Sequence, residues 1–131
     1  MPVKRRPCSK CGKNRAEKFY TSTRGRVCST CRRSSARAGA RDARLQATYG
    51  ITQAEYEQRL AKQGGKCAIC GGTRRTNLDV DHDHAKERAG IPTRDTIRGL
   101  LCRRCNKLLA SVRDKPEVLR AAAEYLERWA A

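Results

Sequence analysis

Apolar residues recur with a usable period in only a few stretches of this chain, most of them in its second half. Leu78 and Val80 alternate with Asp79 and Asp81, so Leu78 to His82 reads as a strand, and Thr96 to Leu101 reads as a second one. Cys102 to Val112 reads as a helix. Pro116 opens a last helix in which Val118, Ala122, Tyr125, Leu126 and Trp129 fall on one face, which predicts a lid over a small core. Upstream, Thr52 and Glu55 form a capping box, Tyr56 and Leu60 share a face, and Gly64-Gly65 stops the run. Arg32 to Tyr49 is rich in Ala and Arg and ends at Gly50, a residue that can take the positive φ that closes a helix. Its apolar stripe is little more than Leu45 and Tyr49, with Gly39 a candidate hinge, so it reads as a solvated connector rather than a core helix.

Composition explains why the apolar pattern is thin. The chain has 131 residues, 33% charged and 5% aromatic, enough for one ordinary domain or two small ones with little buried surface. A fold of that size needs a staple, and eight cysteines in four Cys-x-x-Cys pairs can supply it. No apolar run follows Met1-Pro2-Val3-Lys4-Arg5-Arg6, and no stretch approaches the ~18 apolar residues of a membrane span, so the expectation is an intracellular, cytoplasmic protein with no membrane partner. In a reducing compartment such pairs are metal ligands more often than disulfides.

Cys8/Cys11 and Cys28/Cys31 enclose 16 residues, the spacing of a zinc ribbon or knuckle, with room for one hairpin around Phe19-Tyr20 and Arg24-Gly25. Cys67/Cys70 and Cys102/Cys105 are separated by 31 residues, too many for a compact ribbon, so the intervening loop must itself be a folded unit carrying the two strands. Four thiolates leave no open coordination position, which describes a closed structural site. Two structural zinc ions are therefore expected. Pairs from both ends could also share one zinc, and disulfides are the weaker alternative.

Charge then points to a partner. The net charge of +17 would fall to about +13 with two four-thiolate zinc centres. Residues 1–50 hold 14 Lys and Arg against Glu17 and Asp42, while residues 51–131 hold 16 against 11. Such a surface attracts phosphate backbones and binds nucleic acid with strong salt sensitivity. Few aromatics are available to stack on bases, so duplex or branched DNA is expected over single strands. Candidate contacts are Arg98, Arg103, Arg104 and Lys107, together with Arg32, Arg33, Arg37, Arg41 and Arg44 along the connector.

Against this basic background both histidines lie in one window, Asp81-His82-Asp83-His84, beside Asp79. Carboxylates crowded on a strand repel one another unless a cation compensates, which argues for a divalent metal. Phosphodiester hydrolysis needs a base for the attacking water and a cation for the charge on phosphate and leaving oxygen. His82 can supply the base, and the carboxylate of Asp81 with the amide carbonyl of Asn106 can hold Mg²⁺ or Mn²⁺. Cys102 and Asn106 share one helical face, so zinc bound at Cys102 and Cys105 would aim Asn106. Strict alternation would put Asp81 and His82 on opposite faces, so for both to reach one phosphate the strand must end or bulge there, or the phosphate must sit at its edge.

The run Tyr49-Gly50-Ile51-Thr52, Tyr56, Gly64-Gly65-Lys66-Cys67-Ala68-Ile69-Cys70-Gly71, Val80-Asp81-His82-Asp83-His84 and Arg98-Gly99-Leu100-Leu101-Cys102-Arg103-Arg104-Cys105-Asn106 resembles the recombination endonuclease VII branch of the HNH, or ββα-metal, nucleases. The resemblance implies a small zinc-stapled α+β fold with a ββα-metal (His-Me finger) core and flanking helices, in a protein of phage type acting in the host cytoplasm. It implies that His82 is the general base, that Asp81 and Asn106 bind the catalytic ion, that His84 assists, and that the four later cysteines bind zinc. Domains are then expected as a zinc ribbon over 1–34, a basic connector over 35–50 and the nuclease over 51–131. Two departures stand out: the strands are joined by thirteen residues, Ala85 to Ile97, where relatives often have a short turn, and Leu109 and Ala110 stand where some members carry an acid. The junction-resolving members also use an extended helical dimer arm, so branched-DNA preference and a homodimer are left open. The competing reading is a non-catalytic zinc module that binds DNA or RNA, which would need neither the acidic cluster nor Asn106.

Overall fold

The computed structural model describes residues 3–130; Met1, Pro2 and Ala131, at the edges of the expected domains, lie outside it. The chain divides into two units, Met1–Ala47 and Thr48–Ala131.

In the first unit, β1 (Arg5–Pro7) pairs antiparallel with β2 (Asn14–Ala16), so the Cys8–Cys11 knuckle is itself the hairpin's turn. Gly12 N–H closes that turn on Cys8 O at 2.8 Å, and the positive φ of Gly12 lets the chain reverse there. This corrects the hairpin expected around Phe19-Tyr20. That stretch instead forms a single 3-10 turn, Glu17–Phe19, and a bend, because its aromatics are drawn inward: Tyr20 is buried with Cys8 and Cys28, and Phe19, Val27 and Cys31 pack around them. The Tyr20 hydroxyl donates to Arg6 O at 2.9 Å, and the Arg6 guanidinium lies 4.1 Å from the Tyr20 ring centroid. Cys28 leads into helix α1 (Ser29–Tyr49), in which Leu45 is the one buried residue.

In the second unit, α2 (Gln53–Lys62) starts at the expected capping box: Glu55 N–H donates to Thr52 Oγ1 at 3.2 Å, and Thr52 N–H to Glu55 Oε2 at 2.7 Å. Strand β3 (Asp79–His82) pairs antiparallel with β4 (Ile97–Leu101), and α3 (Arg103–Ser111) packs on both strands. Ile51, Tyr56, Leu78, Val80, Ile97, Leu100 and Leu101 make the core, completed by Cys67, Cys102 and Cys105. Tyr56 donates its hydroxyl to Leu78 O at 2.9 Å, and Gln63 brackets Leu100 by accepting from its N–H and donating to its carbonyl, each at 2.9 Å. These bonds fix where α2 and the Cys67 knuckle meet β4.

The connection from Ala85 to Ile97 is folded throughout. A 3-10 turn at His84–Lys86, a tight turn at Arg88–Ile91 with positive φ at Ala89 and Gly90, and a 3-10 turn at Arg94–Thr96 follow one another. Helix α4 (Pro116–Glu127) corrects the lid expectation. Val118, Tyr125, Leu126 and Trp129 are 43%, 56%, 67% and 76% exposed, so the predicted face is left largely in solvent. The sheet is packed instead by α2, on β4, and by α3, on both strands.

Candidate metal centres and active site

The eight cysteines gather as two quartets rather than one mixed site. The sulfurs of Cys8, Cys11, Cys28 and Cys31 lie within 4.8 Å of one another, as do those of Cys67, Cys70, Cys102 and Cys105, so each quartet could hold a zinc ion. No cysteine is in a disulfide. Each cluster mixes stabilised thiolates with reluctant thiols. The Cys8 thiol is drawn down to about 6, first by the Cys28 backbone N–H 3.3 Å from its sulfur, whereas Cys31 is pushed up to about 12, first through the hydrogen bond it shares with the Cys28 sulfur. In the second quartet Cys102 falls to about 6, chiefly through the Cys105 N–H and then the Arg74 side chain, while Cys105 rises to about 12, first because it is buried. Four ionised thiols cannot share so small a volume without a cation, and a divalent ion is what such a donor set accommodates.

Asp81 and His82 occupy the end of β3, where the ladder slips. Asp81 is opposite Gly99 but His82 is opposite Ile97, which leaves Arg98 as the extra residue of a bulge. The extra residue is on β4, so it is the alternation of β4 that is broken here, while β3 ends at His82. Of the expectations for this spot, the end of the strand is seen at His82, whereas the bulge lies on the partner strand β4.

The bulge aims Arg98 back at Asp81. Its Nε and Nη2 donate to the two oxygens of the buried Asp81 carboxylate, each at 2.8 Å, and Nη2 also reaches Asp114 Oδ1 at 3.2 Å. These partners, Asp81 first, hold the Arg98 guanidinium pKa above its usual value. Asp114 Oδ2 in turn lies 3.6 Å from His84 Nδ1, and the rings of His84 and His82 are 4.5 Å apart between centroids. His82 Nε2 meets Glu87 Oε1 at 2.6 Å, with both side chains largely out of water at 17% and 13% exposure. Asp81, Arg98, Asp114, His84, His82 and Glu87 thus form one continuous polar chain.

At the centre of it, His82 Nδ1 is buried without a hydrogen-bond partner among the described residues. Leaving such an atom unpaired costs on the order of 1–3 kcal/mol, a cost commonly found where chemistry needs the group free. Because a neutral imidazole that donates through Nε2 has its lone pair on Nδ1, the Glu87 contact selects the tautomer in which Nδ1 can accept a proton.

Asn106 is half-buried on α3 and follows Cys102 and Cys105: Cys102 is the N-cap residue, and its carbonyl accepts the Asn106 N–H at 3.0 Å. Its side chain makes no hydrogen bond among the described residues. Arg103, Arg104 and Lys107 are exposed on the same helix, whereas Arg98 is engaged by two carboxylates. On α1, Arg32, Arg33, Arg37 and Arg44 are exposed, and Arg41 is half-buried and has a partner of its own.

Sequence reasoning missed Glu87 and Asp114. The approach of Glu87 depends on the turn after Asp83, whose side chain accepts from Ala85 N–H at 3.0 Å and so reverses the chain. Asp114 depends on successive positive φ values at Arg113 and Asp114, a conformation that no motif announces.

Comparison with known proteins places these residues in a family context. A family model described as recombination endonuclease VII matches residues 42–128. The chain is 44% identical over 90 residues to the Gene 59 protein of Mycobacterium phage D29, covering 66% of this chain and 50% of the relative. It is 46% identical over 88 residues to the Gene 59 protein of Mycobacterium phage L5, covering 65% and 49% respectively. The chain therefore spans about half the length of the curated relatives it matches. No solved structure matches it.

Proposed function

The chain belongs to the recombination endonuclease VII family, and on that premise we propose that it is a metal-dependent endonuclease that hydrolyses phosphodiester bonds in duplex or branched DNA. The observation that carries the reading is His82: its Nε2 is held by Glu87 while its buried Nδ1 has no partner, the arrangement of a base waiting for a proton. The strand pair β3–β4 followed by α3 is read as the ββα-metal core of an HNH nuclease. The proposed division of labour follows, with a zinc ribbon over 1–34, a basic connector over 35–50 and the nuclease over 51–131.

In this reading His82 Nδ1 takes a proton from the attacking water, and Glu87 holds the ring in position and offsets the charge it acquires. Asp81 and the Asn106 carbonyl would hold Mg²⁺ or Mn²⁺. The donors fit a hard ion: each Asp81 oxygen keeps a lone pair beyond its bond to Arg98, and the Asn106 amide is unengaged. When bound, such an ion stabilises negative charge on the phosphate and on the leaving oxygen. Arg98 offsets the charge of Asp81 and would also serve the DNA phosphate. His84 assists at the phosphate from the solvent side. Arg103, Arg104 and Lys107, with Arg37 and Arg41 on α1, take backbone phosphates. The two zinc ions are structural, the second one aiming Asn106 through Cys102 and Cys105. The setting proposed is the cytoplasm of a phage-infected cell.

The test is cleavage of linear, nicked and four-way-junction DNA with Mg²⁺ or Mn²⁺. Wild type is expected to cut, and His82→Ala and Asn106→Ala are expected to lose at least about a hundredfold in rate. No cleavage of any substrate by wild type, or equal cleavage by His82→Ala, sinks the nuclease reading. The basic N-terminal half would then favour the non-catalytic DNA- or RNA-binding module.

A further inference from the structure

His82, His84 and Glu87 present one ligand atom each, all within 4.8 Å of one another, and none of the three is a thiolate. We propose that these three side chains form a third metal centre, one that takes a borderline transition ion such as Zn²⁺, Co²⁺ or Ni²⁺ and, in taking it, switches off the base.

The turn that follows β3 builds the centre. Asp83 accepts from Ala85 N–H, Lys86 N–H closes on Asp83 O at 3.1 Å, and the reversal returns Glu87 to His82. Two of the ligands are thus held in contact before any ion arrives. His84 is the third and is 66% exposed on its side chain, so the ion has a route in from solvent. Two imidazoles and one carboxylate, with positions left for water, are a donor set for Zn²⁺, Co²⁺ and Ni²⁺, whereas Mg²⁺ prefers oxygen donors and keeps its waters. The same end of β3 therefore offers two sites of different hardness: Asp81 with Asn106 for the hard ion, and the histidine pair with Glu87 for the softer one.

Occupancy of the softer site has a chemical consequence. An ion at His82 Nε2 takes the place of the proton shared with Glu87, and the neutral ring keeps its one proton on Nδ1. No proton is lost overall, but Nδ1 becomes a donor and can no longer accept from water. Binding and base catalysis at His82 exclude each other. The inhibitory part of this proposal rests on His82 being the base, while the binding part does not.

The experiment uses the full chain with both cysteine quartets filled with zinc. Titration with Co²⁺, followed by visible absorption and calorimetry, is expected to show one further equivalent per chain, with the spectrum of nitrogen and oxygen ligation and no thiolate charge-transfer band. His84→Ala lies at the surface and is expected to keep two zinc ions per chain while weakening Co²⁺ at least about tenfold, and Glu87→Ala is expected to weaken it similarly. Absence of a third equivalent, or Co²⁺ affinity unchanged in both variants, overturns the proposal. In the cleavage assay at fixed Mg²⁺, with each protein scaled to its own rate before any ion is added, Zn²⁺ or Co²⁺ is expected to inhibit wild type, with at least about tenfold more ion needed to halve the rate of His84→Ala; half-inhibition at the same concentration in both overturns the switch. A chain that binds the third ion but cuts no DNA overturns the nuclease reading alone.

Discussion

Single residues in this protein are set by their immediate electrostatic company, and the cysteines show it most directly. At pH 7 Cys8 and Cys102, drawn down to about 6, are thiolates, whereas Cys31 and Cys105, pushed up to about 12, hold their protons. Zinc requires all four sulfurs ionised, so uptake near neutrality must expel protons and affinity must rise with pH. Below about pH 6 Cys8 and Cys102 protonate as well, another proton has to leave each quartet, and affinity should fall more steeply. Competition with a chromophoric chelator from pH 5.5 to 8 checks this, and an affinity independent of pH would defeat it. The histidine window shows what a sequence conveys at this scale and what it does not. Asp81-His82-Asp83-His84 stood out as a candidate metal or phosphate site because two histidines and, with Asp79, three carboxylates are crowded into a basic chain. Glu87 and Asp114 were not, because each reaches the site only through a local backbone reversal.

Elements were legible where capping, spacing and alternation agreed. The Thr52–Glu55 box starts α2 as its residues require, and Thr52→Ala is expected to cost about 1 kcal/mol, read as a lower urea midpoint with an unchanged slope. Strands β3 and β4 and helix α3 also lie where their patterns put them. The first hairpin was misplaced because β1 and β2 are three residues each, Arg-Arg-Pro and Asn-Arg-Ala, with no apolar alternation to reveal them. For α4 the periodicity was real, but an amphipathic stripe says nothing of what lies opposite it. Helix α3 depends on the second quartet at its first turn, through Cys102 at the cap and Cys105 within. Removing zinc with a strong chelator should therefore release the Arg103–Ser111 amides to hydrogen exchange and leave those of α2 better protected. Equal loss of protection in both helices would show that the quartet supports the whole unit rather than α3.

Over the whole molecule, charge and fold are distributed differently. Residues 1–50 carry most of the positive excess, while residues 51–131 carry the histidine cluster. DNA affinity should therefore fall steeply with salt, and replacing Arg32, Arg33 and Arg37 together with Gln should flatten the log–log slope by up to about 3 units while leaving the zinc content at two per chain. A slope unchanged by the triple variant would remove α1 from the DNA-binding surface. No helix among the described residues is long and apolar enough to cross a membrane. The bulge at Arg98 carries one more consequence, for how this chain can vary in length. With Arg98 unpaired, the residue count of β4 is a question of parity: deleting one residue between Ile97 and Leu101 would give a regular ladder, yet side chains on one side of the cut would exchange core for solvent. The turn at Arg88–Ile91 closes on itself through the Ile91 N–H and Arg88 O, so residues gained or lost there invert nothing. A deletion scan should find the first stretch intolerant whatever residue is removed, and the second permissive.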